Sequence, residues 1–317
     1  MEKTVHTLIW MQAGACSGDS MSLLCAEDPS FPEFLEAHHV ELLWHPSLSS
    51  KPMRQFADEI QQILDGQLEL NILCVEGSLI TGPNDTGMFD SFLGSAKIDV
   101  IEKLCQAADY VVAVGTCASF GGVHAAPPNP TDCTGLQFDK DQKGALLPPD
   151  WVSKGGLPVI NISGCPTHPA TVLRTLSLLL AGAPVEFNEW NMPAEFFSSV
   201  VHQGCTRNEY HEYHVEEKQF GHNGCLFFNL GCQGPTTLAT CNNVLWNGQN
   251  SKTRAGVPCF GCTMPDFPRN DPLFRTKTIA DIPVVLPLGV SRPHYMSYKG
   301  LAHDAAPERV MKRKMKV

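Results

Sequence analysis

The chain has 317 residues, a formal net charge of −10 at pH 7, 43 % apolar residues and 18 % charged ones. That balance describes a globular chain long enough for two domains and argues against both disorder and a nucleic-acid-binding face. Thirteen cysteines stand out, and since the opening "MEKTVHTLIW" has neither an apolar h-region nor a twin arginine, and no apolar run reaches the ~20 residues of a membrane span, the expected location is cytoplasmic, where such cysteines bind metal or do redox work rather than pair.

Residues 1–190 alternate strand and helix patterns. "HTLIWMQAG" and "VELLWHP" read as buried strands. "MRQFADEIQQILDG" follows as a helix, with Phe56, Ile60, Ile63 and Leu64 at helical spacing and Gly66 as its stop. Then come "LELNILCVEGS" (strand), "AKIDVIEKLCQAA" (helix), "DYVVAVGTC" and "LPVINISGC" (strands) and "HPATVLRTLSLLLAG" (helix). Such alternation predicts an α/β domain with a doubly wound parallel sheet, whose sites lie at the carboxyl ends of the strands. Cys16, Cys117 and Cys165 each follow an apolar strand by a few residues, with a glycine one or two positions before. Three strands thus aim a thiol at one edge of one sheet.

From 191 to 317 the rhythm is lost, and the segment is rich in Gly, Pro, Asn and Cys. It holds His202 and Cys205 as H-x-x-C, Cys225, Cys232, Cys241, and Cys259-x-x-Cys262. A poorly patterned domain of this kind gains stability from bound metal. Structural zinc wants closed sets of four; 202/205/225/232 satisfies that, but 241/259/262 is one short. Iron–sulfur clusters fit both sets, so clusters lead and zinc remains the alternative.

At this point the sequence resembles the small subunits of nickel–iron hydrogenases. The matching pieces are "GACSGDSMSLL", "VEGS", "VAVGTCASFGG", "INISGCPTHP", "HQGCTRN", "GCLFFNLGCQGP" and "AGVPCFGC", spread over nearly the whole chain. The resemblance implies a flavodoxin-like domain over 1–190 carrying a proximal cluster (4Fe-4S or 3Fe-4S). It implies a second domain over 191–317 with a medial 3Fe-4S and a distal 4Fe-4S or 3Fe-4S cluster. The Ni–Fe centre belongs to a separate large subunit, so no residue here is catalytic. Carried over by position, the proximal ligands are Cys16, Cys117 and Cys165, with Asp19 where the family usually has a fourth cysteine. The distal set is His202, Cys205, Cys225 and Cys232, with the Cys225–Cys232 gap one residue longer than in periplasmic members. The medial set is Cys241, Cys259 and Cys262; between 241 and 259 no further cysteine occurs. Asp19 either ligates iron, or turns away from a three-iron site, or caps a helix beginning at Ser20. Aspartate there resembles the cytoplasmic hydrogen-oxidising branch, of cyanobacterial and actinobacterial type. The implied partners are the large subunit and an acceptor such as a quinone or another redox carrier, in an oligomer of heterodimers. A hydrogen-sensing relative is the alternative within the family.

The remaining chemistry-bearing residues have plainer readings. Cys25, Cys74 and Cys105 read as buried apolar positions, and Cys133 as a loop bystander. Glu76 is either hydrogen-bonded structure or part of a polar or proton-conducting network near the interface, and His168 a helix-start or packing residue. His38–His39 and "EYHEYH" read as solvated surface. The basic tail "MKRKMKV" is a soluble end or a dock for an acidic partner or anionic membrane face. No G-x-S-x-G or phosphate-binding G-x-G-x-x-G supports a hydrolase or nucleotide enzyme.

Overall fold

The computed structural model describes residues 5–269 and 272–313. It comprises two compact units, Met1–Glu195 with Thr263–Phe267, and Phe196–Cys262 with Pro268–Val317.

In the first unit, β1 (His6–Gln12), β2 (Val40–Trp44), β3 (Leu70–Glu76), β4 (Ala108–Val114) and β5 (Ile160–Ile162) form one sheet in the order β5-β4-β3-β1-β2. All four pairings are parallel. Read from the opposite edge this is the flavodoxin-like order 2-1-3-4-5, whose switch point lies between β1 and β3. The helices are α1 (Gly18–Leu24), α2 (Phe31–Ala37), α3 (Met53–Leu64), α4 (Lys97–Ala107), α5 (Gly115–Phe120) and α6 (Pro169–Leu180).

Both faces of the sheet are covered, which is why its strands read as apolar runs rather than alternating ones. Ile9, Met11, Leu73, Val75, Val111 and Ala113 face one way and pack with Phe56, Ile60 and Ile63 of α3 and Ile101 and Leu104 of α4. Their strand neighbours Leu8, Trp10, Ile72, Cys74, Val112 and Ile162 face the other way, against α1, α2 and α6. Each fully buried Leu, Ile, Val, Phe or Met side chain among them contributes about 1.5–3 kcal/mol. Helix ends follow local chemistry: Gly66 takes φ 72 just past α3, and His168 caps α6, its Nδ1 accepting from the Ala170 amide at 3.2 Å.

Register sets the functional edge. Gln12 pairs with Glu76, Glu76 with Val114, and Val114 with Ile162, so the chain segments carrying Cys16, Gly77, Cys117 and Cys165 all leave the sheet along one line.

Four expectations are corrected. The first helix starts at Gly18 with Ser17 at its N-cap, so Asp19 lies inside the first turn and caps nothing. Cys25 is exposed at the end of α1, not buried. Cys133 is buried, on a two-residue strand rather than in a loop. "EYHEYH" is not a solvated run: Tyr210 is 3 % exposed, and His211 and His214 are half-buried among aromatic rings. Cys74 and Cys105 are fully buried as expected.

The second unit has little regular structure. Its core comprises Val201, Tyr210, Val215, Leu226, Phe227, Phe228, Ala239, Tyr295 and Val310, together with three cysteines, Cys225, Cys232 and Cys259. Of the basic tail, Met311–Arg313 is described; there the Arg313 guanidinium contacts Glu217 and donates to the Glu216 carbonyl at 3.0 Å, while the last four residues lie outside the described part.

Candidate metal centres

The first site forms where β1, β3, β4 and β5 end. Cys16 is exposed between β1 and α1, and Ser17 takes φ 62 to turn the chain into α1. The turn of Asp19 and Ser20 is held by Glu76, at the end of β3 and 1 % exposed. Glu76 Oε1 accepts from the amides of Asp19 (3.1 Å) and Ser20 (3.3 Å). Its Oε2 accepts from Trp10 Nε1 and Gln12 Nε2, both at 3.0 Å, and from the Ser20 hydroxyl. Five donors on one carboxylate make Glu76 the pin of this turn.

Asp19 is thereby fixed inside the site. Its Oδ1 accepts from the Thr167 amide at 2.7 Å, and its Oδ2 lies so close to Gly115 that a Cβ there would stand 2.1 Å away. Burial pushes this carboxyl up to about 7; the Thr167 hydrogen bond opposes that and the Glu76 charge adds to it. Cys117 lies on α5, and a Cβ on Gly122 would stand 2.8 Å from its Sγ. Burial raises the Cys117 thiol, hydrogen bonding to Val123 and Ser78 lowers it, and Asp19 and Cys16 are near enough to raise it electrostatically. The Cys165 turn is tied to the Cys117 turn: the Thr116 amide donates to Gly164 O at 2.9 Å, and the Gly164 amide to Thr116 Oγ1 at 3.0 Å. Asp19, Cys16, Cys117 and the turn bearing Cys165 are thus brought together.

In the second unit His202, Cys205, Cys225 and Cys232 line one recess. Backbone amides face the sulfurs: Arg207 N is 3.4 Å from Cys205 Sγ, Phe227 N 3.5 Å from Cys225 Sγ, and Cys259 N 3.4 Å from Cys232 Sγ. Arg207, 4 % exposed, donates to the carbonyls of Thr253 and Gly224, both at 2.8 Å, and so fastens the Cys205 turn. Burial pushes the Cys225 thiol well up and Cys232 up to about 12.

Cys241, Cys259 and Cys262 form the third group. Burial, with the neighbouring thiols, pushes Cys241 up to about 12 and Cys259 up to about 11. Lys252 Nζ stands 4.0 Å from Cys262 Sγ and 4.2 Å over the Phe260 ring.

Sequence reading missed two side chains here. Lys252 gave no signal beyond its place between Cys241 and Cys259. His211, concealed in a charged run, stands 4.4 Å from His202 centroid to centroid, with Nδ1 3.4 Å from Cys225 Sγ. Burial, with His202 and His214 nearby, pushes it down to about 3, so the imidazole is neutral.

These donor sets fit iron–sulfur clusters. Buried thiols that repel one another as thiolates require cations to hold them deprotonated, and amide N–H groups directed at sulfur are the usual means of tuning a cluster. Among the described residues no three His, Cys, Asp or Glu side chains are arranged to hold a single metal ion.

The comparisons agree with this architecture. A family model described as "NADH ubiquinone oxidoreductase, 20 Kd subunit" matches residues 16–179, and one for the C-terminal part of the "NiFe/NiFeSe hydrogenase small subunit" matches 197–275. The F420 non-reducing hydrogenase II small subunit of Methanosarcina mazei is 32 % identical, over 82 % of this chain and 73 % of its own length. The periplasmic [NiFe] hydrogenase small subunit 1 of Nitratidesulfovibrio vulgaris is 31 % identical, over 82 % and 79 %. A solved chain of the actinobacterial-type NiFe-hydrogenase from Ralstonia eutropha H16 superposes with a TM-score of 0.76 at 28 % identity, covering 96 % of this chain and 91 % of that one. With its parallel sheet, strand-end thiols and cysteine-lined second unit, the chain belongs to the small-subunit family of nickel–iron hydrogenases.

Proposed function

We propose that this chain is the electron-transfer subunit of a cytoplasmic, hydrogen-oxidising enzyme and holds three iron–sulfur clusters. What supports it is the placing of Asp19 and Cys117 beside the turn that bears Cys165, the recess lined by His202, Cys205, Cys225 and Cys232, and the mutual electrostatic influence of Cys241, Cys259 and Cys262. Cys16, Asp19, Cys117 and Cys165 would hold the proximal cluster, Cys241, Cys259 and Cys262 the medial, and His202, Cys205, Cys225 and Cys232 the distal one. Such clusters, when bound, supply one-electron carriers whose potentials follow ligand type, charge, hydrogen bonding and exposure. The protein's part is to place the thiols for the metal that would keep them deprotonated and to fix the turns that carry them, as Glu76 does in the first unit and Arg207 in the second.

Hydrogen splitting is assigned to the Ni–Fe site of a large subunit, which the naming of the relatives as small subunits supports. Asp19 favours the oxidising branch, and so does the likeness to the actinobacterial-type enzyme. For the acceptor, a quinone or another carrier, an open recess beside Cys232 and Cys259, lined by Phe260, Phe274, Arg275 and Lys277, offers an approach.

The test is hydrogen-driven dye reduction by the complex purified with its large subunit, followed alongside bleaching of the cluster absorbance. Brisk reduction supports the oxidising role. Turnover too slow to follow, together with a signalling partner that co-purifies, would replace it with the sensing one.

A further inference from the structure

The distal set contains a second imidazole, to which ligand spacing gives no role. His211 sits on the short helix Asn208–Glu212. Its ring is stacked on Phe228, with centroids 5.3 Å apart and planes 17° apart, and the Phe227 ring meets it edge-on at 5.4 Å. His214 covers Phe228 at 4.7 Å, and His202 closes against His211 at 4.4 Å and 65°. Three rings around the imidazole, one of them backed by His214, therefore fix the orientation that places Nδ1 3.4 Å from Cys225 Sγ. Cys225 itself is 5 % exposed, so water competes little for that contact.

The direction of the hydrogen bond follows from the partner. A ligating cysteine is a thiolate, which offers only lone pairs, so the nitrogen facing it must carry the proton. We propose that His211 is a positioning residue that donates Nδ1–H to the Cys225 thiolate and thereby raises the reduction potential of the distal cluster. This rests on the assignment of Cys225 as a distal ligand. A donor at the sulfur stabilises the more negative, reduced state over the oxidised one. His211 would then make the last carrier of the chain a better electron acceptor.

Two substitutions separate the donor from the ring. His211→Phe keeps the packing and removes the N–H; His211→Asn puts an amide nitrogen near the place of Nδ1. Both are made in the full complex, and the distal midpoint potential is read by potentiometric titration with paramagnetic resonance, beside iron and sulfide content. The expected result for H211F is unchanged iron and sulfide and a midpoint more negative by roughly a tenfold change in the reduction equilibrium, about 59 mV for one electron. H211N is expected to keep most of the original potential. An unmoved potential in H211F, or an equal shift in H211N, overturns the proposal.

Should H211F fail to assemble, the unsubstituted complex decides. With 15N-labelled histidine, the paramagnetic distal cluster should show a second, weakly coupled nitrogen with an exchangeable proton, and its absence overturns the hydrogen bond. A complex without iron and sulfide overturns the ligand assignment together with this inference, whereas an unmoved potential with clusters present overturns this inference alone.

Discussion

The carboxylate of Asp19 and the α-carbon of Gly115 occupy one another's only room: a Cβ at Gly115 would stand 2.1 Å from Asp19 Oδ2. Gly115 also takes φ 86 at the start of the helix that carries Cys117. The pair fixes how the β1 and β4 turns meet, and with it the proximal donor set.

Gly115→Ala is therefore expected to expel Asp19 and lose proximal iron. Gly66→Ala is the control, since Gly66 takes φ 72 with nothing within 4 Å of the added Cβ; it should cost only about 1–2 kcal/mol for the left-handed backbone. Iron and sulfide content with thermal unfolding of both variants checks this. Equal behaviour would mean that the Asp19 contact does not matter.

In the iron-free chain Asp19 should make stability depend on pH. Burial raises its proton affinity from the ordinary 3.8 to about 7, so the native state binds the proton more tightly than the unfolded one. The penalty is absent below pH ~4, grows as pH rises, and is complete above pH ~7, on the order of 4 kcal/mol. Asp19→Asn should flatten that slope, which denaturant unfolding of the two chains from pH 4 to 8 would show; parallel curves would count against it.

Glu76→Gln replaces one acceptor oxygen by a donor among five donors directed at the carboxylate. At least two of them lose their partner, at ~1–3 kcal/mol each. The expected outcome is a loss of roughly 2–6 kcal/mol in stability, read by unfolding. Unchanged stability would show the network to be looser than its geometry.

Lys252→Met removes the positive charge 4.0 Å from Cys262 Sγ while keeping an apolar stem beside Phe260. Reduction of the medial cluster should become less favourable by up to about 1 kcal/mol, solvent screening limiting the effect. A medial midpoint that stays put or rises would contradict this charge assignment.

Much of this was legible because a parallel sheet buried on both faces writes itself as apolar runs, and because thiols placed just past those runs share one edge. Helix α2 was written more quietly, as the Ser30–Glu33 capping box of a single short segment. Asp19 was misleading at its simplest reading, since an acid near a helix start resembles a cap, yet its carboxylate reaches Thr167 far along the chain. His211 was hidden for the same reason in stronger form. Its contacts with His202, Cys225 and Phe228 run through irregular turns that have no period, and its neighbours Glu209 and Glu212 give it the look of surface.

Metal and acid-labile sulfide content of the complex, purified from its native host with its large subunit, tests the central claim most directly. The expected result is iron and sulfide in matching amounts with nickel in the co-purifying subunit. Zinc in their place, without sulfide, would make this chain a structural metalloprotein and contradict its role in carrying electrons.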